Sequence, residues 1–274
     1  MIYETLTLSP TEATLTVYAY VNMGDCRTPP RRAVVICPGG GYQFVSEREA
    51  EPIAKKFLGA GMNVFILRYT VGAGAANYAP LIQISLAIKH VRENAEKYHI
   101  DPRYVYTCGF SAGGHLACSA GTLWNLPLLK PYLGDAPEGI NRPTGMILAY
   151  PVITGGEYAH RGSFNNLLGH TTDGTEPELD AFSLDKQVGA HTCPAFIWHT
   201  FTDKTVPIQN TLLLAEAMTA ANIPYELHIY PEGVHGLSLA NFETDNGKES
   251  INVPHLQGWI DLAIKWAMDF NYGE

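Results

Sequence analysis

Five short, unbroken apolar runs limit what this 274-residue chain can become. They are Ala33-Val34-Val35-Ile36-Cys37, Val64-Phe65-Ile66-Leu67, Tyr104-Val105-Tyr106-Thr107-Cys108, Met146-Ile147-Leu148-Ala149 and Ala195-Phe196-Ile197-Trp198. A strand with one wet face alternates apolar and polar side chains, whereas a strand covered on both faces is apolar throughout. Between the runs, apolar residues recur at helical spacing. Ala50, Ile53, Ala54, Phe57 and Leu58 form one stripe, and Leu81, Ile84, Ile88, Val91, Ala95 and Tyr98 form another. Two later stripes run from about Ile208 to Ala221 and from about Val253 to Phe270, the second bearing Leu256, Trp259, Ile260, Ala263, Trp266 and Phe270. This alternation predicts a mostly parallel sheet with helices on both faces and right-handed crossovers, a single α/β domain over residues 1–274.

Three stretches differ. Thr5 to Leu8 and Thr14 to Val21 alternate around the turn Ser9-Pro10-Thr11-Glu12, which predicts an opening antiparallel hairpin with Leu15, Val17, Ala19 and Val21 on one face. Tyr225 to Tyr230 also alternates and reads as the last strand. Residues 151–192 are rich in Gly, Thr, His and Asn, with weak periodicity, and are too long for an ordinary connection, so they read as a small cap or substrate loop.

Composition narrows the function. Hydrophobic residues make up 46% and charged ones 16%, against about 25% charged in an average protein, so a large core forms and intrinsic disorder is excluded. With a net charge of −9 and no basic cluster longer than a pair such as Arg31-Arg32, the chain lacks the footprint of a nucleic-acid or anionic-membrane binder. Met1 to Thr5 has neither the basic nor the apolar region of a secretory signal, and no apolar stretch is long enough to span a bilayer, so the expectation is a soluble, cytoplasmic protein. Five cysteines with no Cys-x-x-Cys pair fit neither a disulfide framework nor a zinc ribbon; Cys37, Cys108 and Cys118 read as buried small hydrophobes, and no metal is expected.

The chemistry centres on Gly109-Phe110-Ser111-Ala112-Gly113, which follows an apolar run directly and opens a helical pattern. That is the strand–turn–helix setting of a nucleophile elbow, in which a strained turn presents a serine Oγ above the sheet and leaves no room for a side chain at either glycine. A serine hydroxyl needs a base, and the base needs a carboxylate to fix its tautomer. His235 lies in a glycine-flanked loop just past the last strand and is the expected base. His228 falls within that strand, His90 and His99 belong to a helix and its end, and His115 lies one helical turn below Ser111, where it supports the elbow. Asp203 follows the run ending at Trp198 and is the expected carboxylate; Asp180 and Asp185 suit surface or capping roles in the 151–192 segment. Pro38-Gly39-Gly40-Gly41-Tyr42 closes the first buried strand, and its unobstructed amides, those of Gly40 and Gly41, together with Ala112 N–H suit an oxyanion hole.

The glycine loop at 38–42, Gly-Phe-Ser-Ala-Gly-Gly-His at 109–115, the Asp203 segment and His235-Gly236 together resemble the α/β-hydrolase superfamily, in particular bacterial carboxylesterases of the acetyl-xylan-esterase-like branch. The resemblance implies an eight-stranded α/β-hydrolase fold, ester hydrolysis by Ser111, Asp203 and His235, and no cofactor. Many relatives have a histidine where this chain has Pro38, so proline's fixed φ is expected to hold the loop. An amidase, peptidase or arylformamidase would use the same triad, and a silent binding module would normally have lost one of its members. The polar 155–166 stretch and the family resemblance favour a small ester of short acyl chain, acetylated sugars among them, with Tyr42, Tyr69 and Tyr158 as candidate sugar contacts. Apolar surface leaves a homo-oligomer possible.

Overall fold

The structure, a computed structural model, describes residues 1–22, 25 and 27–269. Its hairpin, β1 (Ile2–Thr7) and β2 (Thr14–Ala19), pairs antiparallel, with Leu15, Val17 and Ala19 fully buried. The apolar runs become β3 (Arg31–Cys37), β4 (Asn63–Arg68), β5 (Ile100–Phe110), β6 (Met146–Ala149) and β7 (Ala195–Thr200), and β8 is Tyr225–Tyr230. Among the described residues the eight strands form one sheet in the order β1-β2-β4-β3-β5-β6-β7-β8. β2 meets β4 antiparallel, and all pairings from β4 to β8 are parallel.

Each central strand feeds two cores. Ala33, Val35 and Cys37 of β3 belong to one, with Phe65, Ile84 and Leu148; Val34 and Ile36 belong to the other, with Phe57, Phe110, Trp198 and Trp259. Burial on both faces is why these runs carry no alternation. The helices covering them are α1 (Glu51–Gly59), α2 (Ala79–Glu93), α3 (Ala112–Thr122), the single turn α4 (Lys130–Leu133), α5 (Arg161–Leu168), α6 (Glu178–Phe182), α7 (Leu184–Gln187), α8 (Gln209–Ala220) and α9 (Trp259–Asp269). Helix α9 starts six residues later than the apolar stripe suggests. Val253 precedes Pro254 and is extended, because proline's ring disfavours helical geometry in the residue before it, and Pro254–Leu256 form a separate 3-10 turn ahead of α9. Phe270, expected on the same stripe, lies outside the described residues.

The 151–192 stretch holds α5, α6 and α7 and is tied down both by α8 and from within. Asn210 Oδ1 accepts from Ile153 N–H and Thr154 N–H, and its Nδ2 donates to Tyr158 O. Arg161 donates to the carbonyls of Gly155 and Gly156. No helix among the described residues is long and apolar enough to cross a membrane.

Candidate active site

β5 runs into Ser111, whose backbone stands at φ 53° and ψ −119°, and α3 begins at the next residue. A side-chain carbon on Gly109 would lie 2.0 Å from Gly113 O, and one on Gly113 would lie 2.1 Å from Cys37 O, so both motif positions exclude every residue but glycine. The strained serine is pinned by its neighbours: Ser111 N–H donates to Ala149 O, and Ser111 O accepts from Val152 N–H and His115 N–H. The hydroxyl is left at the C-terminal edge of the sheet, on a residue that is 8% exposed.

The loops after β7 and β8 bring the other two residues there. His235 Nε2 lies 2.8 Å from Ser111 Oγ, and His235 Nδ1 lies 2.6 Å from Asp203 Oδ2. With Nδ1–H donating to the carboxylate, Nε2 is the lone pair left for the serine proton. The two loops are joined at Gly233, whose carbonyl accepts from the hydroxyls of Thr200 and Thr202 and whose N–H donates to Thr202 Oγ1. Asp203 Oδ1 accepts from Thr205 N–H and Val206 N–H. Burial pushes the Asp203 carboxyl up, but the hydrogen bonds from His199 and His235, the charge of His235 and Val206 N–H together hold it well below the usual range. His199 is a second histidine on this carboxylate, 3.3 Å away and fully buried. Its Nε2 also meets Val206 O, which can only accept, so Nε2 carries the hydrogen and Nδ1 accepts from Thr211 Oγ1.

The glycine loop abuts the serine: a side-chain carbon on Gly39 would lie 3.1 Å from Ser111 Cβ. Gly40 and Gly41 have no backbone acceptor for their N–H groups among the described residues, and Ala112 N–H is a free donor at the start of α3. Pro38 does not hold this loop alone. Gly39 N–H donates to Glu49 Oε2, Tyr69 Oη donates to Pro38 O, and Asn166 Nδ2 of α5 donates to Gly41 O.

Two of the three candidate sugar-binding tyrosines are therefore corrected. Tyr69 is 3% exposed with its hydroxyl committed to Pro38, and Tyr42 is 1% exposed with its hydroxyl on His115 Nδ1. Both rings pack beneath the glycine loop, where burial pushes their phenols well up and keeps them protonated. Tyr158 is half-buried and retains some exposed surface. His115 is fully buried, and its Nε2–H donates to Phe182 O. His228 pairs with Glu226, and Asp180 with Lys186.

Sequence reasoning missed Glu49. This 3%-exposed side chain receives Gly39 N–H on one oxygen and Tyr150 O–H on the other. Tyr150 in turn accepts from Ser238 N–H, and its ring stands edge-on to the His235 imidazole with centroids 5.1 Å apart. The adjacent Arg48 donates to Gly236 O, next to His235. Adjacent charges in Ser46-Glu47-Arg48-Glu49, just after the glycine loop of a charge-poor chain, were the available signal. A cavity of about 590 Å³ opens beside His235, lined by Thr202, Lys204, Val234 and Val253 among others.

The profile of the BD-FAE family matches residues 21–218. An endo-1,4-beta-xylanase B of Butyrivibrio fibrisolvens is 38% identical over 234 residues, which are 84% of this chain and 36% of that protein. An acetylxylan esterase of Xylanibacter ruminicola is 32% identical over 218 residues, 78% of this chain and 42% of its own length. The chain thus spans less than half the length of these curated relatives. Among solved structures, a carboxylesterase of Lactobacillus plantarum WCFS1 superposes with a TM-score of 0.83 at 30% identity, covering 98% of this chain and 96% of that one.

Proposed function

The chain belongs to the BD-FAE family, a branch of the bacterial carboxylesterase-like α/β-hydrolases, and on that premise we propose that it is a serine esterase for short acyl esters, acetylated carbohydrates among them. The observation that carries this reading is the hydrogen-bonded line from Ser111 Oγ through His235 to Asp203, at 2.8 and 2.6 Å. In this mechanism His235 Nε2 takes the proton of Ser111 as Oγ attacks the ester carbonyl carbon. Negative charge on the carbonyl oxygen is met by the N–H groups of Gly40, Gly41 and Ala112, helped by the N-terminal end of α3. His235 then gives its proton to the departing alcohol, leaving an acyl-enzyme. Water attacks that ester with His235 again as base, and the carboxylic acid leaves. Asp203 holds the imidazole tautomer and stabilises its charged form.

Substrate class rests on two supports. The relatives include a protein named as an acetylxylan esterase, and the 156–166 segment, whose His160 and Asn166 reach the glycine loop at Gly41, is polar, with Glu157, Tyr158 and His160 at least partly exposed. The test is a ladder of acyl esters run beside acetylated xylo-oligosaccharides, an anilide and N-formylkynurenine. Acetyl to butyryl esters should be cleaved best and acetylated sugars should release acetate. The value of kcat/KM should decline beyond about six acyl carbons, because each unaccommodated methylene forfeits roughly 0.8 kcal/mol of burial. Ser111→Ala should lower kcat at least ~10³-fold with the fold intact. Preference for a decanoyl ester with acetylated sugars untouched would refute the substrate class, and faster turnover of the amide or formamide would refute the esterase assignment.

A further inference from the structure

His160 stands where the glycine loop, α5 and the base converge. Its Cε1 lies 4.0 Å from the place a side-chain carbon on Gly41 would take, and His235 and Asp203 are close enough for their charges to act on its ring. Nδ1 faces Ser163, whose N–H is shared between His160 O at 2.9 Å and Nδ1 at 3.3 Å in the first turn of α5, and whose Oγ lies 2.8 Å from Nδ1. The arm of the Ser163 N–H that reaches Nδ1 can only donate, and the tautomer consistent with it carries the ring hydrogen on Nε2. Burial, reinforced by the His235 charge, lowers the pKa of His160 and favours that neutral form. Nε2–H has no acceptor among the described residues. The ring is also fixed relative to the glycine loop, because Asn166 of the same helix donates to Gly41 O.

In the esterase reading, both oxygens of the ester are provided for. The carbonyl oxygen faces the amides of Gly40, Gly41 and Ala112, and the alkoxy oxygen receives its proton from His235. An acetyl group offers no further acceptor. A further N–H donor beside the glycine loop therefore meets an oxygen elsewhere on the alcohol. We propose that His160 is a substrate-binding residue whose Nε2–H donates to a free hydroxyl of a polyol near its esterified position. It thereby selects partly acylated polyols over esters of simple alkanols. This subsite rests on the esterase reading and deepens it.

His160→Asn tests it, because asparagine keeps a good capping acceptor for α5 but places no donor where Nε2–H stood. The readout is the ratio of kcat/KM for a monoacetylated xylose to kcat/KM for ethyl acetate, in wild type and variant. The ratio should fall by about three- to ten-fold, the factor supplied by one neutral hydrogen bond of ordinary net strength. If both rates fell together and the ratio held, His160 would be a helix cap alone and the subsite would be overturned. Wild-type rates and ratio in the variant would overturn it equally. Wild-type protein that cleaved neither ester would instead bring down the esterase reading, and the subsite with it.

Discussion

A carboxyl group buried as deeply as that of Glu49 persists only where hydrogen bonds replace its water. Here the replacements come from two parts of the site, Gly39 N–H in the glycine loop and Tyr150 O–H beneath His235, so one side chain sets the distance between them. Glu49→Gln keeps the size but turns one acceptor into a donor. With the amide nitrogen toward Gly39 N–H two donors meet, and with it toward Tyr150 the tyrosine O–H loses its acceptor, so either orientation leaves a mismatch. Steady-state assays should show kcat lowered roughly ten- to hundred-fold, the usual consequence of misplacing a reacting group by about an ångström. Full kcat in a folded variant would remove Glu49 from the positioning of the site. The charged cluster at 46–49 was the only mark of Glu49 in the sequence, and its pairing was not legible, because Tyr150 lies 101 positions away and nothing local marks the two as partners. The tyrosines failed for a related reason. An aromatic residue beside a glycine loop reads the same whether its ring lies over the loop or beneath it, and Tyr42 and Tyr69 lie beneath.

At the scale of elements, the strands and the turn at Ser111 were legible because burial on both faces and close backbone approach each leave a local composition. Contacts between elements leave none, and His115 is the clearest case. It joins α3 to the end of α6, donating from Nε2 to Phe182 O and accepting Tyr42 O–H at Nδ1. Burial lowers its pKa from 6.5 to about 4. The folded protein therefore resists protonation over a range in which the unfolded chain takes up a proton. The stability from this neutral histidine is full above about pH 6.5 and is lost as pH falls toward about 4, a swing of about 3 kcal/mol. Denaturant midpoints measured between those pH values should fall in wild type and fall less in His115→Gln, which cannot titrate. Equal slopes in the two proteins would mean that another group governs the acid limb.

Across the whole molecule, both cores carry thiols as packing. Cys37, Cys118 and Cys193 lie in one core and Cys108 in the other, all fully buried, with their thiols pushed up by burial. Cys26 lies outside the described residues. Mass spectrometry after exposure to a thiol reagent should find those four unmodified in native protein and modified together across the unfolding transition. Labelling of Cys37 alone under native conditions would reveal local opening beneath the glycine loop. The pinned serine points the other way. Residues with φ near +50° are costly by about 1–3 kcal/mol and stay so only where their surroundings leave no alternative. At Ser111 those surroundings are Ala149, Val152 and His115, reached through its own N–H and carbonyl. The backbone amides of Ser111 and Val152 should therefore exchange with deuterium only when the entire sheet comes apart, which would make a strained residue one of the molecule's slowest clocks.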